Sequence, residues 1–244
     1  MRVEQCTKTT VFVNRKELDA IMKPRVIMHN SISIDGSVTG FDIDIAAHYA
    51  VAGSFRPDAH LIGWITAKTG IETYMSDVPR EEVEDHKKPA KAFEKGLPYF
   101  VISDSLGKLH GLLHLFRKFE HCRDVIVMIS RTTSDNYIDY LHSRNYDYIV
   151  AGEKRVDYAQ ALEELNRRFE VETVLTDTGP TLNGALLEHG LVDEISLVVQ
   201  PWLAMKGNPR LFEELDLRSN AKLSLRKSEA LEGSLVHLHY SIEA

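Results

Sequence analysis

The chain has 244 residues, 43% of them apolar and 27% charged, enough for one large α/β domain or two small ones. A net charge of −7 argues against a protein that lives on nucleic acid or an anionic membrane, although a local site can still take an anionic small molecule. Two cysteines, Cys6 and Cys122, make no disulfide framework, no apolar run reaches membrane-spanning length, and the N-terminus lacks a secretory leader pattern, so a cytoplasmic protein is expected.

In chain order, residues 1–24 read as an extension, with a short helix over Glu17–Met22 before Pro24. The first strand is expected over Arg25–Ile34, then a helix around Ile43–Gly53 and a short strand over Ala59–Gly63. Residues 75–96 are charged and carry Pro79 and Pro89, which predicts loop with broken helix and a solvated charged face. Strands follow at Tyr99–Ser103, Val125–Ser130 and Tyr148–Ala151.

Tyr158, Leu162, Leu165 and Phe169 recur at helical spacing behind a capping pattern of Asp157 and Gln160, which predicts a helix over Asp157–Phe169. Val171–Thr176 is a further strand. Pro180–His189 is a helix with proline near its start and Gly190 where a terminating glycine belongs. Glu194–Pro201 is a strand, and Lys222–Glu229 with Leu235–Ile242 reads as a closing antiparallel pair around Gly233. The alternation predicts an α/β fold: a mostly parallel sheet covered by helices, with an antiparallel C-terminal edge, in one domain spanning residues 25–244.

Two stretches carry candidate chemistry. Between a buried strand and a helix stands Thr176-Asp177-Thr178-Gly179-Pro180. A helix start offers unpaired N–H groups and a favourable dipole to an anion, and small residues let the anion come close. A plain strand-to-helix turn, capped by Asp177 or Thr178, explains the same residues. On the first strand, His29, Ser31, Ser33 and Asp35 alternate onto one face, and Val26, Met28, Ile32 and Ile34 take the other, broken only by Asn30. That polar face suits either a ligand cleft at the strand's exit or an edge strand with one wet face. In the first case Asp35 and His29 are the candidate catalytic residues, by hydrogen bonding or proton transfer.

Other motifs are absent: there is no P-loop, no G-x-G-x-x-G, no nucleophile elbow and no zinc-deaminase signature. His110 and His114 are four apart but lack the central acid of H-E-x-x-H, so no metal is expected.

Ser33-Ile-Asp-Gly36, Asp58-Ala-His-Leu-Ile-Gly63, and Gly179-Pro-Thr-Leu182 with Gly190-Leu-Val-Asp-Glu194 occur in one order. That order resembles the reductase domain of riboflavin-biosynthesis deaminase/reductases and the stand-alone diaminopyrimidine ribosyl-phosphate reductases, over about residues 25–242. The resemblance implies a dihydrofolate-reductase-like fold, NADPH as cofactor, a homodimer, and reduction of a ribosylamino group to ribitylamino. It puts the NADPH pyrophosphate at two helix starts, one at Gly63 and Thr66, the other at Asp177, Thr178, Gly179, Pro180, Thr181 and Leu182. It puts the adenosine and 2′-phosphate region at Ser103, Asp104 and Ser105, and the adenine loop at Val150 to Gly152. His29, Ser31, Ser33 and Asp35 would face the substrate. The chain departs from that family at Thr178, where the family has glycine, and at His29, where it has lysine. The family's substrate-phosphate segment, Asp-x-Pro-x-Leu-x-x-Arg, has no clear match near Gly70–Pro79. With residues 1–24 alone ahead of the first strand, no preceding deaminase domain is expected. A related reductase with another small-molecule substrate, and a non-catalytic nucleotide-binding module, are the alternatives.

Overall fold

The runs that read as apolar become the middle of a sheet. The structure, a computed structural model, describes residues 23–243 apart from residues 95, 214, 218 and 219. The helix expected over Glu17–Met22 lies outside the described residues. The strands are β1 (Arg25–Ser33), β2 (Ala59–Gly63), β3 (Tyr99–Ser103), β4 (Val125–Ile129), β5 (Asp147–Val150), β6 (Thr173–Thr176), β7 (Glu194–Gln200), β8 (Leu223–Leu231) and β9 (Leu235–Ile242). They form one sheet in the order β5-β4-β3-β2-β6-β1-β7-β9-β8. The first seven in that order are parallel, and β9 and β8 pair antiparallel, as the alternation predicts.

The helices are α1 (Ile45–Ser54), α2 (Trp64–Tyr74), α3 (Leu113–Arg117), α4 (Asp135–Ser143), α5 (Tyr158–Phe169) and α6 (Pro180–Glu188). Asp157 caps α5 by accepting from Gln160 N–H, while the Gln160 side chain turns to Gly152 N–H and leaves the capping box open. Helices α3 and α4 were not predicted: α3 is a single turn of Leu113–Arg117, too short to show a period, and α4 buries only Tyr137, Tyr140 and Leu141.

Alternation along the strands sorts the side chains into two faces. One face carries Val26, Met28, Leu61, Val101, Ile126 and Val174 and is covered by α5 and α6 through Leu162, Leu165, Leu182 and Leu186. The other is covered in two parts. Helices α2, α3 and α4 lie over Ile62, Ile102 and Val127, whereas α1 packs Val51 against Val198 and Leu235. Between these parts a cleft runs along β6 and β1, and this gap positions the site.

The charged stretch from Pro79 to Glu94 forms two short 3₁₀ turns, Val83–His86 and Ala90–Phe93. It is not simply a solvated face. The buried Arg117 guanidinium donates to Asp85 O, Lys87 O, Arg144 O, Asn145 O and the Asp124 carboxylate, and stacks 3.8 Å from the Tyr146 ring centroid.

Candidate active site

Parallel strands end on a common edge, and α2 and α6 both begin there, directly after β2 and β6. Their N-caps are Gly63 and Gly179, and neither helix start has a side-chain cap. The two starts are braced on each other. Thr178 Oγ1 accepts Gly63 N–H at 3.2 Å and lies 3.0 Å from Thr66 Oγ1, which accepts Gly179 N–H at 3.3 Å. A Cβ built on Gly179 would meet nothing nearer than Thr66 Oγ1 at 4.0 Å, so the backbone there is open to a ligand. Two uncapped helix N-termini side by side leave first-turn N–H groups and aligned dipoles for an anion, which fits a dinucleotide pyrophosphate. Among the described residues every peptide bond is trans, Thr178–Gly179 included.

The turn is held from beneath by the one polar residue on the apolar face of β1. Asn30 donates to Thr178 O at 2.9 Å and accepts from Asn183, which also donates to Thr178 O. Thr176 donates to the Asn183 amide oxygen, closing a buried network in which each polar group has a partner. Leu182 packs into the core under Gly63, and Thr181 is exposed at the helix start.

The cleft, about 1720 Å³, begins at this turn. Ser31, His48, Tyr49, His60, Thr66, Asp177, Thr178 and Gly179 line it. His48, from α1, is held on both ring nitrogens: Nε2 lies 3.0 Å from Asp177 Oδ2, and Nδ1 lies 3.0 Å from Ser31 Oγ. Burial works to raise the Asp177 pKa, but the His48 hydrogen bond and the nearby imidazoles His48, His29 and His60 carry it below the usual carboxylate range. The carboxylate is 29% exposed, on the cleft side.

Several expected site residues stand elsewhere. His29 does not reach the cleft. It is fully buried under α1, bonded to Ser196 Oγ at 2.9 Å and His48 O at 3.2 Å, and burial together with His48 lowers its pKa to about 3. A neutral, enclosed imidazole is no anion binder, so His29 braces α1 from below. The polar face of β1 is therefore covered by α1 at His29 and meets the cleft at Ser31. Asp35 lies beyond the end of the strand and does not line the cleft. Its carboxylate accepts from Ser33 Oγ, Ala204 N–H and Arg210, so Ser33 and Asp35 fasten the loop over residues 202–210 to β1. Asp104 faces inward: fully buried, it accepts from Lys108 N–H, Leu109 N–H and Tyr137 Oη. It cannot touch a 2′-phosphate at the surface. Ser103 pairs with Tyr158 Oη at 2.9 Å, Ser105 gives its carbonyl to Thr133, and Gly152 makes a tight turn at φ 78°. Ser103 and Val150 are the last residues of β3 and β5, and Ser105 and Gly152 follow them, on the same sheet edge as Gly63. His110 stacks on Tyr140, whereas His114 bonds to Pro79 O, so these histidines do not converge.

His48 and Asn30 were missed in the sequence, and each left a mark. His48 is the lone polar residue within Ile45–Ala52 of an otherwise apolar, tyrosine-flanked helix, and Asn30 breaks an apolar face.

Similarity to known proteins extends over nearly the whole chain. It is 26% identical over 230 residues to the 2,5-diamino-6-ribosylamino-4(3H)-pyrimidinone 5′-phosphate reductase of Methanothermobacter thermautotrophicus, covering 91% of this chain and 100% of that one. The protein of the same name from Archaeoglobus fulgidus is 24% identical over 188 residues, covering 74% and 81%. Among solved structures, a pyrimidine reductase-like protein of Corynebacterium diphtheriae superposes with a TM-score of 0.65 at 20% identity, covering 92% of this chain and 94% of that one. That likeness establishes the fold, the dihydrofolate-reductase-like arrangement the sequence motifs implied. The family match itself runs from residue 24 to residue 237, taking in both helix starts and the cleft floor, and on that extent the chain belongs to the RibD C-terminal domain family.

Proposed function

We propose that the protein is an NADPH-dependent reductase that converts the ribosylamino group of a diaminopyrimidine phosphate to ribitylamino, a step of riboflavin biosynthesis. The observation that carries this reading is the pair of uncapped, glycine-led helix starts braced by Thr66 and Thr178 at the mouth of the cleft. The archaeal relatives are named for this reduction, and they are matched over most of their length.

In this reading Gly63, Thr66, Gly179 and Pro180 hold the pyrophosphate, with Ser103, Ser105, Val150 and Gly152 along the same edge toward the adenosine. Bound there, reduced nicotinamide would supply the hydride. The chain's own part is to align the substrate against it in the cleft and to provide a proton. Asp104 directs its charge to buried amides, and Lys108 is exposed on that turn, which favours a 2′-phosphate and so NADPH over NADH.

A second copy is expected on the C-terminal edge. Edge strand β8 is exposed along almost its whole length, with Leu225 and Leu223 uncovered. Sedimentation of a dimer that Leu225→Glu converts to monomer would support this. The buried free thiol of Cys122 accords with a cytoplasmic setting.

The reading is tested by fluorescence titration with NADPH and NADH, followed by turnover of the ribosylaminopyrimidine phosphate read at the nicotinamide absorbance. Preferential NADPH binding and substrate-dependent oxidation are expected. Binding without turnover would favour another substrate. That second reading has one specific support: Gly70–Pro79 contains no arginine or lysine to hold the substrate's phosphate.

A further inference from the structure

On the cleft floor, side chains from separate elements form one hydrogen-bonded row. Asp177, on the turn after β6, accepts from His48 Nε2 of α1; His48 Nδ1 meets Ser31 Oγ of β1; and Gln200 Nε2 of β7 donates to the same hydroxyl oxygen at 3.2 Å. A carboxylate only accepts, so His48 Nε2 carries a hydrogen whatever the charge on the ring. Nδ1 has two states. With the ring neutral, it accepts the Ser31 hydroxyl hydrogen. With the ring protonated, Nδ1 donates to Ser31 Oγ, which already accepts from Gln200. The hydroxyl hydrogen must then point out of the row. Ser31 is a cleft-lining residue, so the direction left to that hydrogen is the cleft.

The other imidazoles facing this row cannot take its place. His29 Nε2 is engaged by the backbone carbonyl of His48, and its Nδ1 accepts from Ser196, whose oxygen is bonded in turn to His237. His60, on β2, stacks on Phe100 and has no hydrogen-bond partner among the described residues. Burial lowers its pKa to about 4, so it stays neutral near pH 7. Tyr49 meets His48 edge-on and is uncharged at that pH. Of the three imidazoles, His48 alone has a carboxylate at hydrogen-bond distance.

We propose that Ser31, His48 and Asp177 form a proton relay that ends at Ser31 Oγ and delivers a proton to the leaving ring oxygen of the substrate's ribose. The inference rests on the reduction proposed above. As C1′ gains the hydride and its electron pair from the reduced nicotinamide, the C1′–O4′ bond breaks. O4′ takes the Ser31 hydroxyl hydrogen, Ser31 Oγ takes the hydrogen on His48 Nδ1, and His48 is left neutral with Nε2–H still on Asp177. The Ser31 hydroxyl then donates to the neutral His48 Nδ1, and a proton taken up from solvent in the open cleft recharges the ring and turns that hydroxyl back to the cleft. Ser31 is the catalytic end of the row; His48 and Asp177 are positioning residues that load it.

The test compares Ser31→Ala, Ser31→Thr and His48→Gln with the unaltered protein, using NADPH and the ribosylaminopyrimidine phosphate across pH, with NADPH affinity measured separately by fluorescence. In the unaltered protein kcat falls as pH rises, because a neutral His48 has no Nδ1 hydrogen to pass on. Ser31→Ala and His48→Gln are expected to lower kcat on the order of 100-fold and to abolish that basic limb. NADPH affinity should stay within about twofold, and Ser31→Thr, which keeps the hydroxyl, should keep the limb. Ser31→Ala with kcat within about threefold of the unaltered protein, or with the basic limb intact, overturns the relay. Should His48→Gln fail to fold, the two Ser31 variants decide alone. Failure of the unaltered protein to oxidise NADPH with this substrate overturns the substrate proposed above and the relay together, whereas turnover indifferent to Ser31 overturns the relay only.

Discussion

At position 178 a glycine would leave the two helix starts unlinked. Threonine instead puts its hydroxyl between them, 3% exposed, and satisfies Gly63 N–H and Thr66 at once. The Thr178 hydroxyl is thus a brace that leaves the backbone of Gly179 open. Thr178→Val keeps the shape and removes the hydroxyl. It should destabilise the fold by about 1–3 kcal/mol, because Gly63 N–H loses its partner, and should weaken NADPH binding as the helix starts drift apart. Urea unfolding and fluorescence titration measure the two effects. His29 makes the complementary point. A residue that reads as a catalytic candidate on a polar strand face becomes a support once α1 covers it, and His48 takes the cleft position instead.

Helices α2 and α6 contribute to the site through their first turns. Gly179→Asp puts a carboxylate and a side chain where an anion would sit, and roughly a tenfold or greater loss of NADPH affinity is expected with the fold retained. Unchanged affinity in a folded variant would remove α6 from the cofactor site. A second element-scale device lies on the same face of the sheet, toward β4 and away from the cleft. Arg117 ties α3 to the turn at Asp85, to the end of α4 and to Asp124 at the start of β4. Its side chain is 4% exposed and that of Asp124 is 2% exposed. Arg117→Met would strand the Asp124 carboxylate in the interior, and a loss of about 3–5 kcal/mol is expected in denaturant unfolding. The double replacement Arg117→Met with Asp124→Leu should recover much of it.

Across the whole molecule, buried imidazoles set how stability depends on pH. Burial lowers His29 from 6.5 to about 3 and His60 from 6.5 to about 4, so the native fold keeps both neutral. The unfolded chain takes up protons on both below about pH 6.5, the native fold only nearer 4 and 3. Stability is therefore fully present above pH 6.5 and falls as pH drops toward 3. Asp177, held below the usual carboxylate range, adds to the loss in acid. Urea midpoints should decline from neutral pH downward, and His60→Phe, which stacks on Phe100 without a titrating ring, should make that decline shallower. No helix among the described residues is long and apolar enough to cross a membrane.

The strands in chain order, helices α1 and α5, the antiparallel closing pair and the Pro180 helix start were legible in the sequence, because they depend on local periodicity and turn chemistry, whereas the short or weakly patterned α3 and α4 were not. Val174, Leu61 and Val101 mark central strands wherever they pack, and Gly190 ends α6 at φ 63° by its own conformational freedom. The motif at Thr178–Leu182 likewise pointed to a helix start suited to an anion. What the tertiary structure decided is which polar groups meet. Ser31 and His48 come from consecutive elements and Asp177 from a turn far along the chain, and only the sheet order β6-β1-β7, with α1 folded over it, brings them into one row. The same packing sealed His29, turned Asp104 inward and gave Asp35 to a loop, since burial and hydrogen-bond partners belong to neighbours in space, which spacing along the chain does not specify.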